Sequence, residues 1–355
     1  MDIGIPLERK PREGRVALTP EACAALVAAG HVLRVEHGAG LHSGYKNTDY
    51  EDAGCIISLN NNDLYDQSTV IIKVKEPISP DLERLHGQHI LFCYLHLAPA
   101  PRLLAALLER RLTALAFETL QEDGRLPLLA PMSAIAGRLA VQLGMRYLEQ
   151  AQGGAGVLLG GVFGTPPGRV LVLGAGVAGS HAATMAAALG AEVMVFDRSP
   201  QALARLQAEC PTIRVAAADP ELITEALKTA DVVIGAVLLP GAAAPRVVTR
   251  AMLRHLPPGR VLVDISIDQG GCIEGVHATD WNQPAYEEDG HVFVAVSNMP
   301  GAVPRTSTQA LSRAILPWVQ ELAAGRLERS AALQSALAVR NGQIVAPELR
   351  AQAAG

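Results

Sequence analysis

Short apolar runs alternate with segments of helical periodicity along most of this 355-residue chain, with turn residues between them. Residues 3–6 read as a strand. Thr19, Pro20 and Glu21 mark a helix start, with a capping hydroxyl, a proline in the first turn and an early acid. Gly30 ends that helix, and residues 32–36 resume as a strand. Residues 70–74 and 90–95 have the make-up of buried strands, and 103–111 has a helical pattern. Such alternation implies a parallel sheet covered on both faces. A longer helix is predicted over 132–150, with Ile135, Leu139, Val141, Leu143 and Leu148 as apolar positions. It breaks into glycine-rich stretches at 153–156 and 160–168. A second alternating series follows, with strands over 170–173, 192–196, 231–237 and 261–267, and helices from about Val177 and over about 200–209. A further apolar run spans 292–296. Helical periodicity returns from about Ser307 to Leu327, with a kink expected at Pro317. Asn341 and Gly342 have the signature of a tight hairpin turn. No repeat of solenoid period is visible. The patterns place a central dinucleotide-type domain, residues 131–304, inside a second, discontinuous domain made of 1–130 and 305–355.

The stretch 170–191 carries no formal charge beyond a protonatable His181. Its length alone would suit a membrane span. It divides instead into a strand, a glycine turn and an Ala-rich helix, the pattern of a buried strand running into a helix. Composition agrees: 49% hydrophobic, 18% charged and 4% aromatic is a globular profile, without low-complexity bias. A net charge of −5 gives no basic field to attract nucleic acid or anionic lipid. The five cysteines never form a C-x-x-C pair, so neither a zinc knuckle nor a disulfide framework is expected, and a reducing compartment fits. No metal site is expected. The first ten residues lack the apolar core of a signal peptide. A soluble, cytoplasmic protein is expected.

Gly174-Ala175-Gly176-Val177-Ala178-Gly179 is a G-x-G-x-x-G pattern, weak alone but strengthened by the strand before it and the helix after it. Gly174 allows the tight turn, Gly176 lets the backbone approach a pyrophosphate, and Gly179 permits close helix–strand packing. The helix N-terminus offers N–H groups and a positive dipole end to the phosphates. Asp197, 21 residues after Gly176, would accept hydrogen bonds from ribose hydroxyls and repel a 2′-phosphate. Arg198 beside it could pair with such a phosphate. The carboxylate argues the other way, and NAD is the preferred cofactor. Asp264 and Asp268 would share a face of a regular strand, but only Asp268 sits where the strand yields to glycine. It is either a catalytic carboxylate or an acid capping the turn at 269–271. His96, at the end of an apolar run, reads first as a hydrogen-bonded core residue. Arg15 and Lys75 read first as solvated surface charges.

A resemblance changes those weights. Gly4-Ile5-Pro6, the run Glu13-Gly14-Arg15-Val16-Ala17-Leu18-Thr19-Pro20 and Lys73-Val74-Lys75-Glu76-Pro77 resemble the alanine dehydrogenase family, shared in part with the nucleotide-binding part of proton-pumping transhydrogenase. So do Tyr94-Leu95-His96-Leu97-Ala98, Leu129-Ala130-Pro131-Met132-Ser133 and Ala136-Gly137-Arg138. The series continues through Gln152-Gly153-Gly154, the glycine motif, Asp264 with Ile267-Asp268-Gln269-Gly270-Gly271, and Asn298-Met299-Pro300. It covers nearly the whole chain in family order. The resemblance implies an α/β protein with two Rossmann-like doubly wound domains, the NAD-binding domain inserted into the discontinuous substrate domain. It implies that Arg15 and Lys75 hold the carboxylate and keto oxygen of pyruvate, and that His96 and Asp268 are acid–base residues. Asn298 would serve both substrate and nicotinamide. Ser133 would hydrogen-bond on the cofactor side, and Val237, Leu238, Ile265, Val296 and Met299 would line the nicotinamide end. Two positions depart from the family's pattern: Ala134, where an acid is more common, and Ala243, in place of a frequent lysine. Both put cofactor affinity or assembly in question more than chemistry.

The implied activity is NAD-dependent, reversible oxidative deamination of L-alanine to pyruvate and ammonia, with domain closure excluding water between steps. Two other readings stay open from the sequence. One is reductive condensation of pyruvate with a larger amine, as in carboxyethyl-amino-acid synthases. The other is a catalytically silent nucleotide-binding component of a transhydrogenase-like assembly. The expected partners are small molecules and further copies of the chain, a homohexamer by the resemblance, with the long boundary helices as contact surfaces.

Overall fold

The computed structural model of the protein describes residues 1–238 and 244–353, so Ala243 lies outside the described residues. Strands are numbered along the chain: β1 Asp2–Ile5, β2 Val32–Glu36, β3 Ile56–Ser58, β4 Val70–Ile72, β5 Ile90–Cys93, β6 Thr113–Ala116 and β7 Arg169–Leu173. There follow β8 Glu192–Asp197, β9 Arg214–Ala217, β10 Val232–Gly235, β11 Val261–Asp264, β12 Ala285–Glu288, β13 His291–Val294, β14 Leu337–Arg340 and β15 Gln343–Ile344. The chain divides into two compact units, Met1–Met132 with Val303–Gly355, and Ser133–Ala302.

The first unit holds an eight-stranded sheet in the order β3-β2-β1-β4-β5-β6-β14-β15. Strands β1 to β6 run parallel, and β14 and β15 close one edge antiparallel. Between β14 and β15, Asn341 and Gly342 take φ of 48° and 77°, the turn that their sequence demands. The second unit holds a seven-stranded sheet in the order β9-β8-β7-β10-β11-β13-β12, parallel except for β12. Both sheets are therefore doubly wound, with the strand order reversing between β1 and β4 in one and between β7 and β10 in the other. Ligands of such sheets gather at that reversal, outside the carboxyl ends of the strands.

Local chemistry explains the elements that aim the site. Thr19 accepts from the Ala22 N–H and caps the helix Pro20–Ala28, as its sequence predicts. The uncharged stretch at 170–191 splits into β7 and the helix Val177–Ala188, and among the described residues no helix is long and apolar enough to cross a membrane. The helix Pro304–Ala323 runs on through Pro317. Two strands end earlier than the apolar pattern suggests: β10 stops at Gly235 and β11 at Asp264. Residues 265–269 instead form a 3-10 turn, so Asp264 and Asp268 do not share a strand face. Each unit has its own core, around Ile71, Leu91, Leu107 and Val339 in the first and Leu171, Val233, Leu262 and Phe293 in the second.

Candidate active site

In the first unit, the loops leaving β1, β4 and β5 carry Arg15, Lys75 and His96 in turn. Arg15 is not a solvated surface charge, since only 2% of it is exposed. Its Nε and Nη2 donate to the two carboxylate oxygens of Glu13 at 2.7 and 2.5 Å, and its Nη1 lies 3.2 Å from Met132 Sδ. Burial works against the guanidinium's charge, but the Glu13 carboxylate outweighs it and raises the pKa. The plane of the guanidinium is thus fixed before any ligand arrives.

The loop that carries Arg15 is held by hydroxyls from the helix Pro304–Ala323. The N–H groups of Val16 and Thr19 donate to Thr308 Oγ1 and Ser312 Oγ at 3.0 and 2.9 Å, and Ser43 Oγ donates to the Gly14 carbonyl at 2.8 Å. These hydroxyls were readable only as anomalies: Thr308 and Ser312, one turn apart, sit on the same buried face as Leu311 and Ile315.

Lys75 is half-buried, and its N–H donates to Glu8 Oε2 at 3.3 Å. His96 departs from the core-histidine reading as well: its side chain is 45% exposed and its φ is 46°. Its N–H donates to Glu118 Oε1 at 2.7 Å, and its Nδ1 lies 4.0 Å from the same oxygen. The ring lies parallel to that of Tyr94, with centroids 5.9 Å apart. Burial raises the Tyr94 phenol's pKa although Arg15 pulls it down, so the hydroxyl stays protonated and donates to the Leu128 carbonyl at 2.6 Å. Glu8, Glu13 and Glu118 were not singled out from the sequence. Only their spacing after strand ends distinguishes them from surface acids.

In the second unit, the loop after β7 is the glycine motif. Gly174 has φ of 108°, and a Cβ there would come within 2.5 Å of the Ala236 carbonyl oxygen. A Cβ on Gly179 would collide with the carbonyl oxygen of Gly174, while one on Gly176 would meet nothing within 4 Å. The three glycines thus divide as turn, packing contact and open approach to the N-terminus of the 12-residue helix Val177–Ala188, where Val177 and Ala178 supply the first N–H groups. That opening fits a pyrophosphate. Asp197 ends β8, and its two oxygens accept from the N–H groups of Ala175 and Ser199 at 2.6 and 2.7 Å. Beside it runs a groove of about 370 Å³, lined by Arg198, Pro200, Leu203, Gln207 and Ala217 among others.

Val237 and the 48%-exposed Leu238 follow β10, and Ile265 and the exposed Asp268 lie on the 3-10 turn after β11. Asp264 shapes that turn: its carboxylate accepts from the N–H groups of Ser266, Cys272 and Ile273 at 2.9, 2.8 and 3.0 Å. Burial raises its pKa, and those donors pull it back. After β13 come Val296 and Met299, both buried, with Asn298 between them at φ 58°. Ser133 and Ala134 are half-buried on the helix Ala130–Tyr147. Gly174, Asp197, Val237, Ile265 and Met299 thus lie at or beyond strand ends on one sheet's carboxyl edge, Ser133 lies on the helix Ala130–Tyr147, and Arg15, Lys75 and His96 lie on loops at the other sheet's carboxyl edge. Among the described residues, no cluster of three metal-ligating side chains is assembled.

The family described as alanine dehydrogenase/PNT, N-terminal domain, matches residues 4–136, and its C-terminal counterpart matches 140–347. An alanine dehydrogenase of Halomonas elongata is 48% identical over 328 residues, 91% of this chain and 88% of its own. One from Bacillus subtilis is 44% identical over 350 residues, 97% of this chain and 92% of its own. A solved L-alanine dehydrogenase superposes with a TM-score of 0.95 at 43% identity, covering 99% of this chain and 98% of that one. A transhydrogenase from Sinorhizobium meliloti superposes with a TM-score of 0.85 at 26% identity, covering 98% and 99%.

Proposed function

The chain belongs to the alanine dehydrogenase/PNT family, and from that premise we propose that it is an NAD-dependent L-alanine dehydrogenase, interconverting L-alanine with pyruvate and ammonia. The observation that carries the reading is the full-length likeness to a solved L-alanine dehydrogenase, which a shared sheet topology alone would not give. Residues 1–130 with 305–355 form the substrate domain and 131–304 the NAD domain. Bound NAD supplies the acceptor for the hydride that leaves Cα of alanine.

Gly174, Gly176 and Gly179, with Val177 and Ala178 opening the helix, hold the pyrophosphate, and Asp197 takes the ribose hydroxyls with Arg198 at the rim. Ser133, Val237, Leu238, Ile265, Val296 and Met299 orient the nicotinamide end. In the substrate half, Arg15 takes the carboxylate of the three-carbon acid as a prearranged guanidinium. Lys75 polarises the keto oxygen. Loss of hydride from alanine leaves an iminium, water adds to its carbon, and ammonia departs. His96 and Asp268 carry the protons among amine, water and carbinolamine. Asn298 serves substrate and nicotinamide alike. Hydride transfer itself requires the acid and the nicotinamide to come within reach of each other during turnover.

The working form is a homohexamer in the cytoplasm. The glycine-rich loop at 153–168 supports assembly, for it leaves Leu158, Val162 and Phe163 exposed at 63%, 62% and 106%. Sedimentation velocity reads the assembly directly. The activity is tested by NADH oxidation with pyruvate and ammonia, set against pyruvate with ornithine or lysine. Turnover with ammonia is expected. Turnover only with the larger amines would replace the reading by a reductive condensation. NADH binding without turnover on any amine would leave a silent nucleotide-binding component. Asp268→Ala is expected to lower kcat by about 10²–10⁴-fold while NADH still binds.

A further inference from the structure

Behind the two cations of the substrate half lies a second set of charges that the reaction does not use. Glu8 is buried on the loop from β1, the loop that also carries Arg15. Its Oε1 accepts from the Val74 N–H at 2.6 Å and its Oε2 from the Lys75 N–H at 3.3 Å. Lys73, 1% exposed, places its ammonium 3.5 Å from Glu8 and 3.3 Å from Asp81. Asp81 in turn accepts from the Tyr65 hydroxyl at 3.0 Å and from the Ile78 N–H at 3.2 Å. A second ion pair, Lys10 with Glu76, joins the same two loops. The loops leave β1 and β4, which are paired neighbours at the reversal of strand order. Glu8 therefore spans the crevice floor at the point where a doubly wound sheet takes its ligand.

Stability alone is a poor reason for such a network. A buried ion pair replaced by apolar side chains of similar volume is often neutral or stabilising, because desolvating the charges offsets their attraction. What an apolar pair could not do is accept two consecutive main-chain N–H groups, which turn away from the sheet just where Lys75 must be presented. A carboxylate does so through charge-assisted bonds, roughly twice as strong as neutral ones. Burial pushes the Glu8 pKa up while the Lys73 ammonium pulls it back, so the lysine favours the ionised form the clamp needs.

We propose that Glu8 is a positioning residue for substrate binding: its carboxylate, backed by Lys73, fixes the separation between Arg15 and Lys75. The inference rests on the reading of those two cations as the groups that take the keto acid. It makes Lys73, the other lysine of the Lys73-Val74-Lys75 motif, a support for the clamp and not a ligand of the substrate.

The test compares Glu8→Gln and the double variant Glu8→Gln/Lys73→Met with the intact enzyme. A glutamine keeps the shape, yet it has one acceptor oxygen for two N–H groups and turns a donor toward Lys73. The double variant removes the stranded ammonium without restoring the clamp. The expected result is a rise of about tenfold to hundredfold in the KM for pyruvate in both variants. The KM for NADH should stay unchanged, and the melting temperature of the double variant should return toward that of the intact protein. Recovery of the pyruvate KM along with the melting temperature would reduce Glu8 to a structural charge and overturn the proposal. A normal pyruvate KM in Glu8→Gln, or failure of both variants to fold, would overturn it too. Arg15→Ala and Lys75→Ala are measured alongside. If they leave pyruvate binding intact, the reading of the site itself fails. If they impair it while Glu8→Gln does not, only the role of Glu8 is lost.

Discussion

At His96 the chain adopts a left-handed backbone that costs a non-glycine residue about 1–2 kcal/mol. Glu118 offsets that cost, taking the N–H groups of both Leu95 and His96 on one carboxylate. The same oxygen lies behind Nδ1 of the ring, so one side chain sets both the backbone and the outlook of the imidazole. Glu118→Gln is expected to lower kcat by about tenfold or more with little change in the KM for NADH. A variant with wild-type kcat would remove Glu118 from this role. None of this was legible beforehand. His96 could be seen at a strand end, but not its handedness, which depends on an acid 22 residues later. On periodicity alone Arg15 reads as a solvated charge for the same kind of reason, and only the resemblance gives it a ligand. Glu13, two residues away, holds it with both carboxylate oxygens, a local pairing that periodicity does not register.

At the level of elements, the helices and most strands could be read from period and caps, whereas β3, β6, β9 and β12 were not, and length is not the reason, since β4 has three residues and was read from its apolar run. The end of β11 was misplaced as well. The run 261–267 is apolar enough to continue, but Asp264 draws three N–H groups of the returning chain onto its carboxylate and curls it into a turn. Gly270 and Gly271, at φ of 91° and 81°, allow that return. Asp264→Asn puts an amide donor where two or three donors already point. It is expected to cost about 1–3 kcal/mol in a chemical denaturation curve. Because the turn carries Asp268, kcat should fall as well while NADH affinity stays near normal. An unchanged kcat in a destabilised variant would show that the turn can deform without moving Asp268.

For the whole molecule, pH acts through histidines held neutral in both units. Burial lowers the pKa values of His89, His181 and His291 below the ordinary 6.5. At His89 the arrangement is explicit. Nδ1 accepts from the His86 N–H at 3.1 Å, so Nε2 must carry the proton that faces the Tyr65 carbonyl at 2.9 Å. Below about pH 6.5 the unfolded chain takes up protons that the folded chain resists, so stability is complete above that value and declines as pH falls. Melting temperatures should drop between about pH 7.5 and about pH 5.5, and less steeply in His89→Gln. Equal slopes for the two proteins would exclude His89 from the effect. The division of the chain bears on how the molecule is made. When synthesis has passed residue 302, every strand of the second sheet exists, while the first still lacks β14 and β15. It also lacks the helix whose hydroxyls anchor the Arg15 loop. On the ribosome, the second unit can ripen early, and the first matures only as the last fifty or so residues emerge, on the order of seconds later.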